Sequence, residues 1–279
     1  MTTRWQFDAI GTQWVIESAE SISKETKLAV WQRIEEFDKT WSRFRADSAV
    51  SQLRSEGSAD LGADAAELLG IYDELYGATV GAVSPLVGGS MEQLGYDAEL
   101  SFESKGDAVA APNWTDCALE GSILHSPAPA VLDVGAVGKG FLAGKVADLI
   151  DVPCVVDAGG DIVNRSGGLL KIAMEDPRDA NSAIGVVEIP SGWAMAGSAV
   201  NRRTWGAGLH HIVDARTGAP ATSVVASWAA APDAGMADGL ATAAFFVDVE
   251  TLGRFEGWTL ALDQKFWADA YNFPGELFS

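Results

Sequence analysis

Four short segments of this 279-residue chain combine residue types that could do chemistry. In MADGLATA (236–243), Asp238 and Thr242 stand four apart. On a helix they share a face, and a carboxylate beside a hydroxyl offers hard oxygen ligands of the kind magnesium takes. Read alone, the same segment is a helix start, with Asp238 complementing the N-terminus and Thr242 bonding back to a carbonyl. GAVGKG (135–140) follows an apolar strand expected over 131–134 and precedes a helix expected over about 141–150. Its glycines would let a ligand approach the backbone. The helix start would present free N–H groups to an anion, and Lys139 would add positive charge. Gly140 stands where a Walker A loop needs Ser or Thr, and the glycine order is not that of a Rossmann fingerprint. A tight strand-to-helix turn is the plain alternative.

HHIVDARTG (210–218) opens with two of the three histidines, on a strand expected over 210–213. Neighbours on a strand point to opposite faces, so only one can face a site, where imidazole is a ready general base at neutral pH. The other, and His125, read as structural or solvent-exposed. DAGGD (157–161) is a strand end with two glycines and by itself reads as a turn.

Around these segments, residues 4–17 alternate in polarity and predict two strands about a turn at Gly11. Leu28, Trp31, Ile34, Phe37, Trp41 and Phe44 recur at helical spacing, which predicts a helix from Ser23, its N-cap, to about Phe44. A second helix is expected over 64–77. The Gly-rich stretch 79–97 reads as a long loop or broken strand, and 98–130 as a turn-rich periphery. Strands are expected at 154–158, through most of 169–231 and near 258–262, with a turn at 214–218 and a helix over 234–247. Strands fill the middle while helices cluster early and late, which favours α+β over a doubly wound sheet. The length fits one domain over 1–279, or two subdomains.

Hydrophobic residues are 48% of the chain, enough for a sizeable core and too many for a disordered chain. The net charge is −20, which disfavours nucleic acid and anionic membranes as partners. A phosphate ligand would have to be met locally, by amides, a cation or a metal. Cys117 and Cys154 match no zinc or CxxC spacing and are expected to be free thiols of a reducing compartment. No signal-peptide pattern and no membrane-spanning window is evident, so a cytoplasmic location is expected, or an extracytoplasmic one if a leader precedes Met1.

In order, these segments resemble the ApbE family of FAD:protein FMN transferases. The likeness runs from Gly11-Thr12-x-Trp14 to the helix after Met236. Its most specific pieces are LDxGAxGKG (132–140), DAGGD (157–161), HIVDxxTGxP (211–220) and ADxxATA (237–243). The resemblance implies a T-fold-like (ApbE-like) α+β protein with mixed, largely antiparallel sheets and packed helices. It implies an enzyme that binds FAD and magnesium, attaches FMN by a phosphoester to a Thr or Ser of a partner protein, and releases AMP. Some relatives instead hydrolyse FAD to FMN and AMP, and a non-catalytic FAD-binding protein is a further alternative.

Carried onto this sequence, the family's flavin-contacting positions are Ile10, where Met is common, and Phe44, where Tyr is common. Leu94, Gly95 and Tyr96 match the loop on the adenine side. Asp133, Lys139 and the backbone of Ile212 match further cofactor contacts. Asp238, Thr242 and the carbonyl of Ala136 match magnesium ligands, with Asp238 and His211 as the catalytic pair and His211 as the general base. Ala215 replaces a common Pro.

Overall fold

The computed structural model describes residues 3–278. The chain forms two compact units: Met1–Ile34, Val137–Ala199 and Ser223–Ser279 make the first, Glu35–Ala136 and Val200–Thr222 the second.

The first unit is built on an eight-stranded sheet in the order Thr3–Ala9, Thr12–Ser18, Cys154–Asp157, Ile162–Arg165, Ala194–Ala199, Val224–Ala231, Trp258–Asp263, Ala268–Tyr271. Every pairing in it is antiparallel. The first hairpin turns in two residues, since Ala9 pairs with Thr12. That turn requires positive φ at both central positions, and Ile10 and Gly11 have φ of 42° and 74°. Gly11 adopts this freely. For Ile10, a β-branched residue, it is strained.

The Val224–Ala231 strand explains how this sheet is covered on both faces. Ala226, Trp228 and Ala230 pack with Ile172, Met174, Val187 and Ile189 of a second, three-stranded sheet made by Leu170–Asp176, Asp179–Ile189 and Glu276–Leu277. The alternate residues Ser227, Ala229 and Ala231 are small and buried, and Ser227 Oγ donates to the carbonyl of Ala241 in the Ala234–Ala243 helix. Small side chains on that face let the helix lie close to the sheet. The Gly138–Asp148 helix packs beside it, and a Cβ at Gly140 would fall 2.2 Å from the Ala234 carbonyl oxygen. Only glycine permits that crossing.

The second unit holds the Ala49–Glu56, Ala65–Ala78 and Gly88–Gln93 helices and a small sheet of Ser58–Asp60, Ile123–His125 and Ala118–Glu120. Leu68, Leu69, Ile71, Tyr72 and Leu75 give the Ala65–Ala78 helix its buried face. Ser48 caps the Ala49–Glu56 helix by accepting the Ser51 amide at 3.2 Å, a contact that contributes about 1 kcal/mol.

Several local expectations need correction. The first helix spans Lys24–Trp41, short of Phe44, and Leu28 on its expected inner face is exposed. Ser23 does cap it, accepting the Thr26 amide at 3.0 Å. The stretch 79–97 is neither loop throughout nor strand: it contains the Gly88–Gln93 helix and is mostly buried. Residues 131–134 are irregular, because the Asp133 amide donates to Pro85 in a loop (2.7 Å) and joins no ladder. The 210–213 strand is broken into Leu209–His210 and Val213–Asp214, with different partners. The turn at 214–218 is present, closed by the Gly218 amide on the Asp214 carbonyl at 2.7 Å. No helix among the described residues is long and apolar enough to cross a membrane.

Candidate functional site

In the first unit, three of the singled-out segments converge. The Asp238 carboxylate, 3% exposed, accepts the Gly140 amide at 3.0 Å and is bonded by the Lys139 amide. It therefore caps the N-terminus of a different helix from its own, so the expectation that Asp238 serves its own helix start is corrected. Asp233 does that work, accepting the Met236 amide at 2.7 Å. The Lys139 side chain reaches the carboxylate of Asp161, at the end of the 157–161 loop. Asp161 is 2% exposed, and its Oδ1 is buried without a hydrogen-bond partner.

Two buried carboxylates thus share one ammonium. Burial pushes the Asp238 carboxyl up to about 8, with the Asp161 charge adding to the rise and Lys139 opposing it. Burial raises Asp161 as well, against the pull of Lys139. Thr242 lies one turn from Asp238 on the same helix face and is half-buried.

The 157–161 loop is more than the plain turn that it reads as in isolation. Gly159 has a φ of 73°, and a Cβ there would sit 2.0 Å from Thr12 Oγ1. The loop therefore lies against the first hairpin, one residue beyond Gly11 and two beyond the strained Ile10. Asp161 is the residue that motif reading did not single out. Its type and its place in DAGGD were visible, but nothing local signals that it is buried and paired.

The second unit brings together a different set. Tyr96, itself buried, stacks with Trp205 (centroids 5.5 Å apart, 20° between planes) and with Phe102 (6.2 Å, 27°), and meets the edge of Phe44 at 5.5 Å. Trp205 Nε1 donates to the Leu94 carbonyl at 2.8 Å, and the Phe102 amide donates to Gly95 at 2.8 Å. Phe44 is 39% exposed, open on one side. Asp133 holds its own loop: Oδ1 accepts the Gly135 amide at 2.7 Å and Oδ2 accepts Arg43 Nε. Ala136, three residues beyond Asp133, is half-buried.

The two adjacent histidines differ in burial, but strand alternation is not the reason, because His211 lies in the break between the Leu209–His210 and Val213–Asp214 strands. His210 is buried, with Nε2 against the Ala221 carbonyl at 2.9 Å and Nδ1 accepting the Ile212 amide at 3.3 Å. Burial lowers its pKa, partly offset by the Ala221 bond, which suits a neutral structural ring. His211 is half-buried. The Ile212 carbonyl accepts the Ala221 amide at 2.9 Å, so both its backbone groups are engaged within the chain; only the second lone pair of the carbonyl is left for a ligand. His125 is exposed, its Nε2 4.0 Å from Glu120.

Among the described residues no group of three or more His, Cys, Asp or Glu side chains is arranged to hold a metal. Magnesium needs no such cage: it commonly takes one or two carboxylates and completes its shell with water and phosphate. The two buried carboxyls, which burial keeps from ionising until a cation is near, the bare Asp161 oxygen and the Thr242 hydroxyl fit that manner of binding.

Comparison with known proteins bears on all of this. The ApbE protein of Thermotoga maritima superposes with a TM-score of 0.84 at 20% identity, covering 98% of this chain and 97% of that one. The flavin transferase ApbE of Vibrio cholerae gives 0.77 at 22% identity, over 97% and 96%. These likenesses establish the shared α+β fold. An FAD:protein FMN transferase of Rhodobacter capsulatus is 28% identical over 221 residues, 73% of this chain. The chain spans 42% of the length of that relative. A family model described as ApbE family matches residues 1–256, and the chain belongs to that family.

Proposed function

We propose that this chain is an FAD:protein FMN transferase: it moves FMN from FAD to a Thr or Ser hydroxyl of a partner protein and releases AMP. Family membership supports the reading. The observation that carries it is the buried cluster of Asp161, Asp238 and Lys139 at the start of the 138–148 helix, in which Asp161 Oδ1 has no hydrogen-bond partner among the described residues. A strongly acidic chain can hold a pyrophosphate only where amides, a side-chain cation or a metal meet it locally.

Asp238 and Thr242 would hold magnesium, which when bound neutralises the bridging phosphates and stabilises the departing AMP. The chain's own residues do the rest. Asp238 accepts the amides of Lys139 and Gly140 and so fixes the helix start; the N–H groups expected to meet an anion there are thus taken within the chain, and a phosphate would rely on the Lys139 ammonium and the metal instead. Lys139 is kept near by Asp161. Phe44 and its ring cluster offer a flat apolar face to the flavin, and Tyr96 with Leu94 and Gly95 forms the adenine side. The acceptor oxygen bonds to the phosphorus on the riboflavin side, the bridging P–O bond to AMP breaks, and the hydroxyl proton goes to His211.

The test is incubation of the purified chain with FAD and MgCl2, with and without a threonine-bearing acceptor peptide, followed by AMP chromatography and peptide mass. The expected result is AMP together with a peptide heavier by one FMN. AMP without an adduct would make the chain a hydrolase. Neither product, with FAD bound, would make it a carrier and overturn the proposal.

A further inference from the structure

Arg43 touches both the Phe44–Tyr96 rings and the 133–135 loop. It is 7% exposed, and its Nε donates to Asp133 Oδ2. Its guanidinium carbon lies 4.2 Å from the Phe44 ring centroid and 5.1 Å from that of Tyr96. NH1 and NH2 are buried and find no hydrogen-bond acceptor among the described residues, and the Glu92 carboxylate is 3.9 Å from NH1. Among the described residues, the bond to Asp133 is thus the one hydrogen bond that bears on the pose of this side chain. Asp133 and the two ring faces set it.

Phe44 has no hydrogen-bonding atom and is partly open to solvent, so the orientation of its ring rests on packing alone. Two aromatic contacts bear on it: the guanidinium on its face and Tyr96 at its edge. Asp133 in turn is bound to both Arg43 and the Gly135 amide. A planar, delocalised cation can stack on rings and donate in its own plane at the same time, which an ammonium cannot.

We infer that Arg43 is a positioning residue for FAD: it fixes the Phe44 ring, and through Asp133 the start of the glycine loop, in the pose that receives the substrate. This rests on the FAD reading above. Arg43 acts through Phe44 and Asp133, so its loss shows in how FAD is held more than in the transfer step.

The test is R43K, which keeps the charge towards Asp133 but removes the planar face, with R43M as the stronger lesion. FAD binding is read by quenching of flavin fluorescence, turnover by AMP release, and folding by thermal melting. R43K is expected to melt as a folded protein and bind FAD about tenfold more weakly, the size of a buried ring–cation contact. Its kcat at saturating FAD should stay within about threefold of the parent, and its bound-flavin fluorescence should change with the altered ring. A folded R43K with the parent's FAD affinity and spectrum would overturn the inference. So would a loss confined to kcat. If R43M fails to fold, R43K alone decides. If the unmodified protein binds no FAD at all, it is the functional reading that fails.

Discussion

Asp133 in the second unit and Asp238 in the first are both buried carboxylates that hold a glycine-loop amide, yet their charge is answered differently. Asp133 meets the guanidinium of Arg43, and Glu92, the other acid near that guanidinium among the described residues, is paired with Arg54, so two acids face two counter-charges. Asp238 shares a single ammonium with Asp161, and its carboxyl is pushed up to about 8. A buried acid with a dedicated counter-charge is a structural tie, while two acids around one cation retain a demand for positive charge. The same residue type beside the same kind of loop thus serves as an anchor in one place and as a candidate cation seat in the other.

Removing the cation seat should cost most. Asp238→Ala is expected to lower AMP release at saturating FAD and magnesium by about 10³-fold or more, as loss of metal-centred charge stabilisation would. Full activity would reduce Asp238 to a helix cap. His211→Ala should bind FAD as the parent does and slow transfer by about 10²- to 10⁴-fold, measured in single turnovers. An unchanged rate would leave the proton to another group. Gly140→Ala sharpens the contrast from the packing side. The new Cβ would meet Ala234 O at 2.2 Å and the Asp238 Cβ at 2.7 Å. A loss of about 1–3 kcal/mol in chemical denaturation is expected, with weaker magnesium binding. A neutral effect would mean that the two helices are free to part.

The smallest effect is on pH dependence. The Asp238 pKa is raised on folding, so the folded state holds a proton that the unfolded chain has released between roughly pH 4 and 8. Stability without magnesium should therefore fall as pH rises through that window. Added magnesium, which binds the deprotonated acid, should raise the melting temperature more at pH 8 than at pH 6. Asp238→Asn should flatten both trends. Identical slopes in parent and variant would remove Asp238 as their source.

Where local rules set the structure, the sequence reading holds. The turn at Gly11 and the helix of Leu68 to Leu75 follow from alternation and helical spacing, while the helix expected over 234–247 starts at Ala234 but ends at Ala243. Asp238, Lys139 and Gly140 were legible as a cluster of interest because their types and segments stand out. The errors fall where long-range contacts overrule a short pattern. Residues 131–134 look like a strand but bond to a loop at Pro85. The Gly88–Gln93 helix is too short and glycine-rich to show a period. Phe44 has the spacing of a helical core residue yet lies beyond the helix end, in the ring cluster of Tyr96. Asp161 was hidden for the same reason: only the assembled sheet reveals that its turn is buried against Thr12 and Lys139.

Transfer as proposed depends on a divalent cation held by Asp238 and Thr242 beside Asp161. Calorimetric titration of magnesium into the FAD-loaded protein, for the parent and for Asp238→Asn, tests it most directly. One saturable binding event is expected in the parent and none in the variant. Equal magnesium binding by both proteins would contradict it.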